Sequence, residues 1–288
     1  SPGIRAKRIK RLINTKDRWG LEELTSVQLD NTSEKDTMLT RLILSNANIH
    51  QVASLGPTYA SALRQLKDWN GKSDVNSIGA TIFSKLVYFI MYNTMADELS
   101  ESDFNSFVGS FLARSRMVSL LSNNDSPWFD NLDTKDAEEL RSSIFTLSLE
   151  NAITSLINQL GEDVSVWRWG KVHTLTHVHP IGREEPLDMI FNVGPFEKSG
   201  SNDVIDKEGY RYNESGVYPV KDGPAMRMLI DFADPEHSLS IIPTGQSGNV
   251  MSQHYDDQAN MFNKGEYRTF VTNRSELNSD KVLVFEPK

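Results

Sequence analysis

The sequence of 288 residues contains no cysteine, carries a formal net charge of -9 and is 38% hydrophobic and 24% charged. This composition is typical of a globular chain, and the lack of cysteine excludes disulfide bonds, thiol catalysis and thiolate-bound metals. The acidic balance argues against a general nucleic-acid binder, because such a protein needs a basic surface to track phosphates.

Residues 1–165 carry helical patterns. The first is a basic amphipathic helix, in which five of the seven residues from Arg5 to Arg11 are basic. This cluster is typical of a solvated helix face, and the alternative interpretation is an arm that binds nucleic acid. No run of about 18 apolar residues occurs, so we expect no membrane span.

Three further signals divide the helical half. Pro57 predicts the first turn of a helix, because proline is favoured there. Residues 74–99 predict the longest apolar helix. Another helix is expected over 135–160, with a cap near Thr134 and a stop at Gly161.

Residues 166–288 are predicted to be rich in strands. A polar segment over 196–222 is expected to form a surface excursion. A helical half followed by a β half predicts the α+β class, with a helical segment 1–165 and a β-rich segment 166–288. Apolar and polar residues alternate in four stretches between turn residues, namely 166–180, 226–232, 238–244 and 281–287.

Ser247 lies in the stretch Gly245-Gln246-Ser247-Gly248-Asn249. A nucleophile elbow requires Gly-x-Ser-x-Gly, and here the second glycine comes one position early. We therefore expect a tight turn in which the glycines adopt positive φ. The alternative is a nucleophilic serine supported by His254 and by Asp256 or Asp257.

His173, His177 and His179 would point to one face of a strand, because their spacing is even. Such a face could bind a metal ion, although Trp167 and Trp169 share its parity and favour burial instead. The neighbouring carboxylates of residues 256 and 257 would point to opposite faces of a strand and cannot easily share a calcium ion. No metal and no cofactor are therefore expected.

Seven stretches, in order along nearly the whole chain, resemble the β subunit of the penicillin acylase family. These enzymes are N-terminal nucleophile (Ntn) hydrolases with an αββα sandwich, and the resemblance implies that this chain is the C-terminal part of that subunit. The stretches are "RAKRI" (5–9), "LTSVQLDNTS" (24–33), "LKDWNGKSDVNS" (66–77), "SPWFDN" (126–131), "LGEDVSVWRWGKVHTLTHVHP" (160–180), "GPAMRMLIDFADPEHS" (223–238) and "PTGQSGNVMSQHYDDQ" (243–258).

The resemblance implies where the reactive groups lie. In the family the nucleophile is a serine at the start of the β subunit, freed by autocatalytic cleavage, and its own α-amino group is the base. That start resembles Ser-Asn-x-Trp, whereas this chain begins Ser1-Pro2-Gly3. We therefore expect the nucleophile and the oxyanion asparagine to lie upstream of residue 1, so that Ser1 is not the nucleophile.

The resemblance implies supporting roles for two residues. Arg5 aligns with an arginine that fixes the oxyanion asparagine, a task for which the several directed donors of a guanidinium are suited. Asp231 lies where one branch of the family places a carboxylate that orients a histidine, and the alternative is a buried aspartate that ties down a loop.

The resemblance also implies the function. We expect an amidohydrolase of β-lactams, acyl-homoserine lactones or related N-acyl compounds, inactive as the isolated chain. Its partners would be the small N-acyl substrate and the remaining α and β portions of the precursor, with no nucleic acid, and its location the bacterial periplasm. The alternative is a non-catalytic binding or scaffold module of the same fold.

Overall fold

The computed structural model describes residues 3–136, 138–277 and 284–287. None of its helices combines the length and the apolarity that a membrane crossing requires. The helices are α1 (Ile4–Ile13), α2 (Leu21–Gln28), α3 (Glu34–Asn46), α4 (Ile49–Ser54), α5 (Pro57–Asp68), α6 (Ile78–Met95), α7 (Glu101–Val108), α8 (Phe111–Ser122), α9 (Arg141–Leu160), α10 (Trp169–Val172), α11 (Asp188–Phe191) and α12 (Ala259–Lys264). The strands are β1 (Thr174–His177), β2 (Val193–Glu197), β3 (Arg227–Leu229), β4 (Leu239–Ile241) and β5 (Arg268–Thr269).

Two compact units make up the chain, and each is discontinuous in sequence. The first comprises Ser1–Thr15, Val27–His177 and Gly194–Gly223, and the second comprises Lys16–Ser26, Val178–Val193 and Pro224–Lys288. The boundaries of these units do not follow the predicted division at residue 165. That division describes where long helices give way to short strands along the chain.

Helix α6 is the centre of the first unit and packs most extensively on α9 and α5. It is buried almost all round, as expected for the predicted apolar helix of residues 74–99. It begins after Ser77, whose hydroxyl accepts a hydrogen bond from the amide of Ala80 at 3.2 Å. Gly79 in its first turn allows the Trp69 ring to lie directly against the helix, because a Cβ there would be 2.4 Å from Trp69 Cγ.

The predictions for the other helices are confirmed in part. Pro57 opens α5, and Gly161, with φ of 87°, ends α9. The cap at Thr134 is wrong, since α9 begins only at Arg141 and the Thr134 hydroxyl instead donates to Glu139 Oε1 at 2.7 Å.

The prediction of a surface excursion over 196–222 is wrong. Its tyrosines Tyr210, Tyr212 and Tyr218 are 4%, 6% and 1% exposed. The Tyr210 hydroxyl lies 2.9 Å from Ser84 Oγ on α6. The segment is polar in composition, yet it packs into the first unit because its aromatic rings supply apolar area and some of its polar groups, such as the Tyr210 hydroxyl and Asn202 Oδ1, find partners.

The predicted strand over 166–180 is present only as β1, which pairs with β2. Trp169 starts the helical turn α10 instead, and its ring stacks on His173 at 4.6 Å between centroids. Both rings are fully buried. Packing of large rings in the core therefore decides the local backbone against the period-two pattern.

The second unit contains a three-stranded antiparallel sheet of order β3-β4-β5, with Arg227 opposite Ile241. It confirms the strands expected in 226–232 and 238–244. Arg227 is 2% exposed, donates to the carbonyl of Phe262 at 2.9 Å and lies 4.2 Å from its ring centroid. Of the strand expected over 281–287, residues 281–283 lie outside the described residues and 284–287 are irregular.

Substitution of Gly71 by alanine should destabilise the first unit. Gly71 has φ of 85°, and a Cβ there would lie 2.4 Å from the carbonyl oxygen of Ser33, which α3 follows directly. A strained left-handed residue costs about 1–3 kcal/mol, so urea unfolding followed by circular dichroism should show a loss of that size. Gly109→Ala is the control, because Gly109 has φ of -79° and its Cβ would meet only the flexible side chain of Arg211. Equal losses in both variants would contradict the argument.

Candidate functional site

Arg5 lies in the first turn of α1, in the first unit. The helix follows Gly3, which has φ of 67° and whose carbonyl accepts from the amide of Lys7 at 2.8 Å. The Arg5 guanidinium is exposed and donates from Nη2 to the carbonyl of Ile205 at 3.2 Å. Within the described residues this is its one hydrogen bond, so its other donors are not engaged there.

Arg8, one turn later, anchors α1. Its Nε and Nη2 donate to the two carboxylate oxygens of Asp30 at 3.0 and 2.6 Å, and its Nη1 donates to Glu34 Oε1 at 2.9 Å. The hydrogen bond with Asp30 is the largest cause that raises the pKa of Arg8 above its usual value. The Arg8 side chain is 16% exposed. The prediction of a simple solvated basic face is therefore wrong at Arg8.

Asp30 also fixes the segment that Arg5 contacts. Its backbone carbonyl accepts from the amide of Asp206 at 2.9 Å. The carboxylate of Asp30 thus holds α1 while its carbonyl holds the chain next to Ile205. The sequence did not reveal the pairing of Arg8 with Asp30. The available signal was the three-residue spacing of Arg5 and Arg8, which places both guanidinium groups on one face of the helix.

A recess of about 420 Å³ opens beside Arg5. It combines an apolar part with four cationic and two anionic side chains. It is lined by Ile4, Arg5, Lys7, Glu34, Lys35, Met38, Phe111, Arg114, Ser115, Val118 and Asp203.

The deepest ionic group of the recess is Lys35, whose side chain is 9% exposed. It pairs with Asp203 and lies 3.5 Å from Asp36 Oδ1. Burial acts to lower the pKa of Lys35, but the charges of Asp36 and Asp203 outweigh it and raise that pKa. Arg114 Nη1 donates to Asn202 Oδ1 at 2.6 Å, which closes the same wall. These contacts fix the side chains that form this wall of the recess.

Asp231 lies in the second unit, two residues after the end of β3, and is half-buried. Its Oδ1 accepts from the amide of Ala233 at 2.9 Å, and its carbonyl accepts from Asp234 N at 3.2 Å. The carboxylate thus closes a turn, and the neighbouring histidine, His237, pairs with Asp234 at 2.9 Å. A role of Asp231 in orienting a catalytic histidine stays a prediction.

Ser247 takes part in a turn of the second unit. Its amide donates to the carbonyl of His254 at 3.0 Å, and its hydroxyl accepts from the amide of Asn249 at 3.1 Å. His254 Nδ1 lies 3.0 Å from Asp257 Oδ2, and in the described residues no hydrogen bond joins the His254 ring to Ser247. This geometry favours the turn over a catalytic triad.

The expected reason for the glycines of this turn is wrong, because neither Gly245 nor Gly248 has positive φ. Gly245 is needed for close approach, since a Cβ there would lie 2.1 Å from the carbonyl oxygen of His254.

The three histidines do not form one face. His173 is buried at the end of α10, His177 ends β1 and His179 follows it. His173 Nδ1 lies 2.7 Å from the carbonyl oxygen of Tyr218. Over the described ranges no group of three or more histidine or acidic side chains has the arrangement of a metal site.

The comparisons with known proteins agree on one family. A family model described as penicillin amidase matches residues 1–279. The acyl-homoserine lactone acylase QuiP of Pseudomonas fluorescens is 28% identical over 211 residues, which cover 72% of this chain and 25% of that protein. The QuiP protein of Pseudomonas aeruginosa is 24% identical over 291 residues, which cover 92% of this chain and 34% of that protein. The chain spans about a quarter to a third of the length of these relatives.

A solved structure of a thermostable penicillin G acylase from Alcaligenes faecalis is similar along the whole chain, with a TM-score of 0.54 and 15% identity, and 53% of that protein chain is covered. This likeness concerns the fold, and it confirms the α+β class and the expected portion of an Ntn-hydrolase fold.

Arg8→Lys should destabilise the first unit because an ammonium cannot reproduce the fork that joins Asp30 and Glu34. Hydrogen bonds to charged groups contribute about 1.5–3 kcal/mol each, so we expect a loss of about 1–3 kcal/mol in urea unfolding. Arg11→Lys is the matched control, since the Arg11 side chain is 58% exposed and pairs with Glu34 alone. Its loss should stay below about 0.5 kcal/mol. A loss at Arg11 as large as that at Arg8 would refute the anchoring role of Arg8.

His173 should make stability depend on pH. Burial lowers its pKa to about 4, against 6.5 for an ordinary histidine. Between these values the unfolded chain binds a proton that the folded chain does not, so the free energy of unfolding should fall as pH drops from 6.5 to 4, by up to about 3 kcal/mol.

His173→Asn keeps a donor for the Tyr218 carbonyl and removes the titration, so it should flatten this pH dependence. The dependence should shrink without vanishing, because burial also lowers the pKa of His177. His50→Asn, at an exposed position, is the control and should leave the profile of urea midpoint against pH unchanged. If His173→Asn retains the full slope, the buried neutral histidine is not its source.

Proposed function

The chain belongs to the penicillin amidase family, and on that basis we propose that it forms the C-terminal part of a hydrolase that cleaves the acyl amide of N-acyl-homoserine lactones. The observation that carries the proposal is the match of residues 1–279 to the family model. The names of the relatives, acyl-homoserine lactone acylases, support the substrate class.

In the proposed reaction a serine hydroxyl attacks the amide carbonyl, the homoserine lactone leaves as the amine and water then hydrolyses the acyl ester. We propose that this serine and the oxyanion asparagine belong to a part of the polypeptide outside these 288 residues. The α-amino group of the serine is a suitable base, because its pKa lies near neutrality. Autocatalytic release of that amino group and a periplasmic location belong to the same proposal.

Arg5 is proposed to position the oxyanion asparagine. Its exposed guanidinium is oriented by Ile205, and the anchored neighbours Arg8 and Asp30 keep α1 in place. The recess beside Arg5 offers a surface on which the asparagine-bearing segment can rest. A planar guanidinium can then hold the amide oxygen while the asparagine N–H donates to the developing oxyanion. Asp231 is proposed to orient a histidine near the nucleophile, and in this chain its carboxylate closes a turn with the amide of Ala233.

Residues 1–288 alone should not release homoserine lactone from N-decanoyl-homoserine lactone. Co-expression with the polypeptide encoded upstream in the same reading frame should restore release. A chain that is active alone and loses activity in Ser247→Ala would contradict the proposed location of the nucleophile. Absence of activity in the processed full-length protein would instead favour the scaffold alternative.

In that processed protein, Arg5→Lys should lower kcat by about 100-fold or more, the effect of losing one oxyanion donor, with KM little changed. Lys10→Arg is the control, because Lys10 is exposed on the same helix. Urea unfolding should be unaltered in both variants. A change in KM alone, or an equal fall in the control, would refute the positioning role of Arg5.

A further inference from the structure

One face of each of α3, α4 and α5 surrounds a groove of about 710 Å³ in the first unit, with no lining residue in common with the recess beside Arg5. The volume falls in the range typical of ligand pockets. Its floor is apolar and comes from side chains that pack on the core while keeping an open side. The floor residues are Leu44, Ile49, Ala53, Ala60, Leu63 and Trp69.

One wall of the groove is rigid. The Trp69 indole N–H donates to the carbonyl of Lys72 at 2.8 Å, and the ring lies 5.1 Å from the Phe83 centroid. Gly79, one turn before Phe83 on α6, also lies directly against the Trp69 side chain. An apolar ligand would therefore meet a preformed surface and would not need to order it on binding.

The rim is basic, on a chain whose net charge is -9. Arg41, Arg64 and Lys67 are exposed and line the groove together with His50, against the single carboxylate of Asp68. Across the described part of the chain, these three cations make no hydrogen bond or ion pair with another side chain. Their donors remain available to an anion, which would also reduce the repulsion among these exposed cations.

We propose that this groove binds a long-chain carboxylate, with the acyl chain on the floor and the carboxylate between Arg41 and Arg64. A guanidinium pair matches the carboxylate fork, and the apolar floor requires a tail that a simple anion lacks. A nucleic acid would need a longer basic path than one rim supplies. The groove shares no lining residue with the recess beside Arg5, so this proposal is independent of the proposed reaction.

Calorimetric titration of the purified chain with dodecanoate, below its micelle concentration, tests the proposal. Binding should be saturable and should weaken with added salt. Arg41→Gln combined with Arg64→Gln should weaken it about tenfold or more. Arg116→Gln combined with Lys10→Gln removes the same charge from exposed positions outside the groove and should leave the affinity unchanged.

Two further titrations separate the contribution of the carboxylate from that of the acyl chain. Dodecanol should bind at least about tenfold more weakly, because it lacks the charge, and acetate should not bind, because it lacks the tail. Ala60→Phe should block dodecanoate by filling the floor. If the circular dichroism spectrum shows that Ala60→Phe does not fold, the test rests on Arg41→Gln combined with Arg64→Gln.

Several outcomes would overturn the proposal. These are the absence of dodecanoate binding, equal affinity for dodecanol, and equal weakening in the two charge-matched double variants. Binding to vesicles of phosphatidylglycerol or to an acidic amphipathic helix, in place of free dodecanoate, would also overturn it, because the occupant would then be a membrane surface or a protein.

Discussion

The position of α1 and of the candidate site depends on the double use of Asp30. Its carboxylate receives the fork of Arg8, and its carbonyl receives the amide of Asp206. The bidentate geometry restricts orientation as well as distance, so α1 can adopt one rotation about its axis. Arg5, one turn before Arg8, is thereby aimed at Ile205. The candidate residue Arg5, which is itself exposed, thus inherits its position from a neighbour that is largely buried.

Other charged groups of the first unit are also buried. Lys198 and Glu208 are 2% and 1% exposed with 3.4 Å between their charged atoms, and Lys85 on α6 donates to the carbonyl of Glu214. Burial lowers the pKa of Lys85 to about 8, which shows that its charge is costly in this environment. Such groups add little net stability compared with apolar replacements, but each requires one specific arrangement of the segment that satisfies it. They explain why the polar segment over 196–222 has a defined path through the helical unit.

The candidate site could be predicted from the sequence only in part. Arg5 became a candidate through a resemblance of short stretches that follow one another in the same order, and composition or periodicity offered no comparable signal. Arg8 was missed because a basic helix face has the same spacing whether it is solvated or paired. Its partner Asp30 lies 22 residues away, and the sequence does not reveal which carboxylate a helix will meet. Asp231 was found by the same resemblance, and the turn that it closes depends on the loop between two strands.

Helix content, the proline start of α5 and the glycine stop of α9 were determined by the sequence itself, because they rest on local backbone chemistry. Tertiary structure decided the rest. Trp169 and His173 lie on a helical turn and not on one strand face, since burial of two stacked rings contributes more than the weak preference of an alternating pattern. Only the folded chain brings the faces of α3, α4 and α5 together around one groove, because their relative placement depends on packing among these helices and against α6 and α9, which lie elsewhere in the sequence.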